Sequence, residues 1–155
     1  LGYLRAGPSF EIVPVVSDDV TFNDQAGVDF MSDHSNLRVT EIKAFVPAKD
    51  FALSKRFYQD FGFTMASAGG GVAYFHFEHV SFLLQDFYVE AMAENFMMHM
   101  LVEDVDAWWQ RISESGVAAT YGTKMTQVEL QPWKMRDFCV IDPSGVLWRI
   151  GQNCN

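Results

Sequence analysis

The stretch VTEIKAFVPAKDFALSKRFYQDFGF, residues 39–63, runs from an apolar strand through a short Asp-bearing turn into an aromatic-rich helix. The same order returns, loosely, in MMHMLVEDVDAWWQRISESGV at residues 97–117, and each copy leads into further short strands. Two copies of one small unit imply a pseudo-symmetric fold, and the groove between copies is the natural place for a ligand.

In the first copy, Ile42, Ala44 and Val46 alternate with Glu41, Lys43 and Phe45, the period of a half-buried strand. A helix is expected over roughly 49–60, with Leu53, Phe57 and Phe61 on one face and Gly62 ending it. Gly69, Gly70 and Gly71 mark a turn before VAYFHF, and VSFLLQ follows, giving a meander of three short strands. In the second copy, Met98, Met100 and Val102 alternate with Met97, His99 and Leu101. Asp104 is placed as a helix N-cap, Val105, Trp108, Trp109 and Ile112 follow at i, i+3, i+4 and i+7, and Gly116 closes the helix. VAAT, MTQVELQ, MRDFCVI and VLWRI then read as strands, the last two joined by the Asp142-Pro143-Ser144-Gly145 turn. Each unit is thus βαβββ. The fold class is α+β, with paired curved mixed sheets around a central groove and modules over about 38–92 and 95–152.

Composition bounds the rest. With 155 residues, 49% apolar and 15% aromatic, the chain is long enough for a core without disulfides. Cys139 and Cys154 lack CxxC spacing, so a disulfide framework or structural zinc is not expected, and a cytoplasmic setting is the default. No apolar run reaches the ~20 residues of a membrane span. The net charge of −9 argues against nucleic acid and leaves room for a cationic ligand. Residues 1–30 hold −4 of that charge. Met31 reads as a natural start, which makes 1–30 an extension to a single domain over 31–155. The alternative is a native arm whose EIVPVV stretch, 11–16, adds an edge strand.

The segments V-x-x-x-D…FY…GF, V-E-D-V-D-A-W…G and F-x-V-x-D-P-x-G-x-x-W-x-I together resemble the vicinal oxygen chelate superfamily. That superfamily includes glyoxalase I, extradiol dioxygenases and bleomycin resistance proteins. The resemblance implies a groove that in the enzymes holds a divalent metal on two His and a Glu. At those positions stand Glu41, Met97 and Arg149. A thioether is a poor ligand for a hard metal and a guanidinium repels one, so no metal or other cofactor is expected. A shifted set of Glu41, His99 and His76 is the fallback, and would restore a lyase, isomerase or dioxygenase.

The chain is most similar to the metal-free, bleomycin-resistance-like members. This implies a homodimer that sequesters a hydrophobic or cationic aromatic small molecule, with antibiotic resistance entering by analogy and no catalytic residue. Glu41 would supply charge, Phe45, Phe82 and Met97 apolar contact, His99 a hydrogen bond, and Trp133 a stacking surface. Arg149, a charge on a half-buried strand, needs a partner, and Glu41 is the candidate across the groove. Trp148 is expected to face a helix, and of Trp108 and Trp109 at least one is core. The triple-glycine turn precedes no helix and no Lys-Ser/Thr, so it is not a phosphate loop.

Overall fold

The computed structural model describes residue 37 and residues 39–154. The proposed extension, the start at Met31 and the EIVPVV strand lie outside the described residues. Residues Val39–Asn155 form one compact unit. Its first module runs β1 (Phe45–Pro47), α1 (Phe51–Phe61), β2 (Thr64–Gly69), β3 (Val72–Phe77) and β4 (Val80–Gln85). After a short α2 (Glu90–Ala93) the second runs β5 (Met97–Leu101), α3 (Val105–Ser115), α4 (Val117–Tyr121), β6 (Glu129–Leu130), β7 (Met135–Ile141) and β8 (Leu147–Asn153).

The repeat read from the sequence is the architecture. One sheet has the order β1-β4-β3-β2 and the other β5-β8-β7-β6. In each, the strand before the long helix pairs in parallel with the last strand of its own module, and the other pairs are antiparallel. The fold is therefore α+β with two unclosed mixed sheets. No described helix is long and apolar enough to cross a membrane.

Local chemistry sets the long helices. Asp50 holds extended dihedrals and its carboxylate accepts from Leu53 N at 2.8 Å, capping α1, so the helix starts two residues later than its apolar spacing suggests. Gly62 ends it at φ +119°, a conformation that favours glycine. Asp104 caps α3 through Ala107 N at 2.9 Å, as the sequence predicts, and Gly116 stops it in the left-handed region.

The modules share one core. Tyr58, Phe61, Phe63 and Phe82 from the first module have ring centroids 5.7, 6.0, 5.4 and 5.3 Å from Trp148 of β8. A polar latch runs through it. The Tyr58 hydroxyl donates to Asp142 Oδ2 at 2.6 Å and accepts from Trp148 Nε1 at 3.1 Å. Asp142 Oδ1 accepts from the backbone of Ser144 and Val146, each at 2.8 Å, so one buried carboxylate both shapes the DPSG turn and grips α1. Burial pushes the Tyr58 phenol well up, and it also raises the Asp142 carboxyl against the opposing pull of the Tyr58 hydrogen bond.

Three expectations need correcting. VAAT is the start of helix α4 rather than a strand; it follows directly on the Gly116 cap, buries Val117, and its two alanines favour helix. MTQVELQ contributes only Glu129–Leu130 as strand, plus an isolated bridge from Met125 to Val140. Phe82, and with it Leu84 two residues on, does not face a groove. Both are fully packed on the core side of β4, with Phe82 stacked on Phe75 at 5.4 Å, because the core needs that face for the aromatic cluster.

Candidate functional site

Since the inner faces of both sheets meet in the common core, each sheet has a second face that points away from it. On the first sheet, strand register aligns Phe45, Leu83 and Tyr74 on that open face, with Ser81 and His76 one pair further along. On the second it aligns Met97 with Leu147, His99 with Arg149 and Cys139, and Leu101 with Gly151 and Asp137. The structure thus brings Met97, His99 and Arg149 together on one face and puts Phe45 on the other. Phe45, Met97 and Leu101 are about half exposed, at 49%, 55% and 58%. Large apolar side chains left in water on a sheet face make that face a candidate binding surface.

Trp133 completes the second face. It lies in the turn between β6 and β7, 55% exposed, with the Arg149 guanidinium 5.2 Å from its ring centroid. Lys134 holds the turn in a left-handed conformation, φ +59°, and donates its N–H to Gln131 O at 3.0 Å. Arg149 Nη1 donates to Asp137 Oδ2 at 3.2 Å, and Gln131 Nε2 donates to Asp137 Oδ1 at 2.9 Å. Gly151 makes room for this group: a Cβ there would sit 2.6 Å from Met135 Sδ and 3.3 Å from Asp137 Cβ. The Cys139 thiol beside Arg149 is pushed up by burial, so it is a poor nucleophile.

Arg149 therefore has a partner, as its half-buried position demands, but that partner is Asp137 and not Glu41. Glu41 lies at the first sheet, where it accepts from Lys43 and Ser81. The hydrogen bond from Lys43, then that from Ser81, holds its carboxyl below the usual range. Sequence reasoning missed Asp137 and Gln131. The signal was present: Asp137 shares a strand face with Cys139 and Ile141, so the argument applied to Arg149 applies equally to it.

A metal does not fit these residues. The three positions that the family resemblance marks as ligands hold a carboxylate paired with a lysine, a thioether, and a guanidinium paired with a carboxylate. Within one chain the fallback set is not brought together either: His76 stacks with Tyr74 on the first sheet while His99 lies on the second. Among the described residues, no three His, Cys, Asp or Glu side chains gather as a metal-binding group.

A separate cleft of about 620 Å³ does open between the modules. The β3–β4 turn, Phe77 to Val80, forms one wall, and Leu101 to Asp104 with Trp108 and Arg111 of α3 forms the other. None of the predicted site residues lines it. It touches the second open face only through Leu101.

Two four-stranded mixed sheets built from βαβββ modules around a shared core define a class of fold, and the comparisons with known proteins agree with it. The profile of the Glyoxalase/Bleomycin resistance protein/Dioxygenase superfamily matches residues 33–150, and the chain belongs to that superfamily. Among solved structures, a bleomycin-binding protein complexed with bleomycin is similar with a TM-score of 0.65 at 20% identity, over 74% of this chain and 99% of the other. An antibiotic-binding protein from Streptomyces sp. CB03234 gives 0.59 at 21% identity, over 74% and 97%. A lactoylglutathione lyase from Agrobacterium tumefaciens gives 0.55 at 18%, over 74% and 94%. These likenesses establish the fold, which hosts binders and enzymes alike. No curated protein matches the chain by sequence.

Proposed function

We propose that this chain is a metal-independent binding protein that sequesters a planar, largely apolar aromatic molecule on its open sheet faces, making and breaking no bond. The observation that carries the reading is the second open face. There a half-exposed tryptophan is braced on a guanidinium, on the face that also exposes Met97 and Leu101 and that the family resemblance marks as the place of the enzymes' metal. Affinity would come from stacking on Trp133 and from apolar contact with the adaptable Met97 thioether. His99, exposed next to Arg149 in register, would supply a hydrogen bond.

The two open faces of one chain turn away from a common core, so a groove walled on both sides calls for a second copy. We assign the protein a homodimeric state in which Phe45 and its sheet contribute the opposite wall, and a cytoplasmic location in keeping with its two free thiols. Drug binding by the related structures supports the reading, and resistance to an antibiotic is its extension by analogy. The test is a fluorescence titration of the chelator-treated protein with planar aromatic ligands, alongside sedimentation. Saturable binding by a dimer, weakened in Trp133→Ala, supports the proposal. Binding or turnover that returns only with a divalent metal would favour a lyase, isomerase or dioxygenase.

A further inference from the structure

Resting on that reading of the second open face, we infer that its ligand carries an anionic oxygen on the edge of the ring, as in an aromatic carboxylate. Free donors and acceptors on this face decide the ligand's charge. Asp137 is 2% exposed and both its oxygens are engaged, one by Arg149 and one by Gln131, so it offers a ligand nothing. Arg149 makes one hydrogen bond to oxygen, through Nη1, although a guanidinium carries five N–H donors. Its Nε is buried with no hydrogen-bond partner, while a quarter of the side chain remains exposed.

A guanidinium held over Trp133 by the Asp137 carboxylate is oriented in advance, so the N–H groups of its exposed part bind an acceptor with little loss of rotamer freedom. The other charges of this face do not cancel it. Glu129 is on the same face, opposite Asp137, but two strands from β8 and therefore roughly 10 Å or more away, where salt screens it. The negative charge expected to select a cation, that of Glu41, is compensated by Lys43. What the ligand meets is an aromatic plane with N–H donors along one side. A flat ring bearing a carboxylate satisfies both; a flat cation would find no acceptor there, since both Asp137 oxygens are engaged.

The experiment is a titration of the intact protein with three matched probes, at low and at moderate salt. Anthracene-9-carboxylate carries the anion, anthracene-9-methanol is neutral, and anthracen-9-ylmethylammonium is cationic. The carboxylate should bind about 10- to 100-fold more tightly than the cation, the span of a charge-assisted hydrogen bond, and the advantage should shrink with salt. The double variant Arg149→Gln/Asp137→Asn removes both charges and keeps an amide for Gln131; it should bind all three probes alike. Arg149→Lys, which keeps the charge and loses the planar fork, should retain part of the preference. Equal or tighter binding of the cation by the wild type overturns the ligand class and leaves the binding surface standing. Failure of all three probes removes the surface itself, and with it the proposed function.

Discussion

Replacing Tyr58 by Phe removes one oxygen from the centre of the molecule, and the structure sets the cost. The ring stays, still packed against Phe57, Phe75, Phe82 and Trp148, so no cavity larger than a hydroxyl opens. Two partners are stranded instead. Asp142 Oδ2 loses a 2.6 Å hydrogen bond and Trp148 Nε1 a 3.1 Å one, both in surroundings closed to water. A buried polar group left without a partner costs about 1–3 kcal/mol, with a carboxylate toward the top, so the substitution should cost about 3–5 kcal/mol. For a domain of this size that is a fall in Tm of roughly 10–15 °C.

Urea unfolding of both forms at pH 7 reads the difference as a shift in midpoint at constant slope. Tyr121→Phe is the control, since Tyr121 makes a 2.6 Å hydrogen bond to Asp60 at the surface and should lose no more than about 1 kcal/mol. The pH dependence gives a second check. Burial raises the Asp142 carboxyl and the Tyr58 hydrogen bond holds it down, so the variant raises it further. A carboxyl raised in the folded state gains stability as falling pH protonates it there first, and the gain is complete below its unfolded value. The deficit of Tyr58→Phe should therefore narrow between pH 7 and about pH 4. A variant as stable as Tyr121→Phe, with a deficit independent of pH, would show that the latch does not join the modules.

Three further substitutions probe separate parts of the account. Trp133→Ala should weaken aromatic ligand binding at least tenfold while costing less than about 1 kcal/mol of stability, because the ring is 55% exposed; equal losses in titration and melting would make Trp133 mere packing. Gly62→Ala should cost about 2 kcal/mol in urea unfolding, since φ +119° strains an L residue and the new Cβ would lie 2.9 Å from Arg111 Nη2. Asp104→Ala should lower stability by about 1 kcal/mol through loss of the α3 cap, measurable by thermal melting with no change in ligand affinity.

The fold was legible because its signals are local and occur twice. A strand alternation, an N-capping Asp, a helical apolar stripe and a closing Gly stand in each module, and the Asp142–Gly145 turn has chemistry that few other conformations would use. The site was legible only in part. Alternation places Met97 and His99 on one face of β5, and the register agrees. It cannot say which face of β4 the core will take, and the core took Phe82. The partner of Arg149 turned on a diagonal between neighbouring strands of one sheet, where the family resemblance had pointed across the groove to Glu41. VAAT was misread because four residues carry too little periodicity to separate a strand from a single helical turn, so the preceding Gly116 cap decided the outcome.

The central claim is that the protein binds its ligand by stacking and apolar contact, without a metal. The most direct test is calorimetric titration of the dialysed, chelator-treated protein with a planar aromatic ligand, alongside elemental analysis of the same sample. The account predicts saturable binding that is unchanged by added zinc, nickel, manganese or ferrous iron and weakened at least tenfold by Trp133→Ala. Binding that disappears with the chelator, returns with about one equivalent of metal per chain and depends on Glu41 or His99 would contradict it.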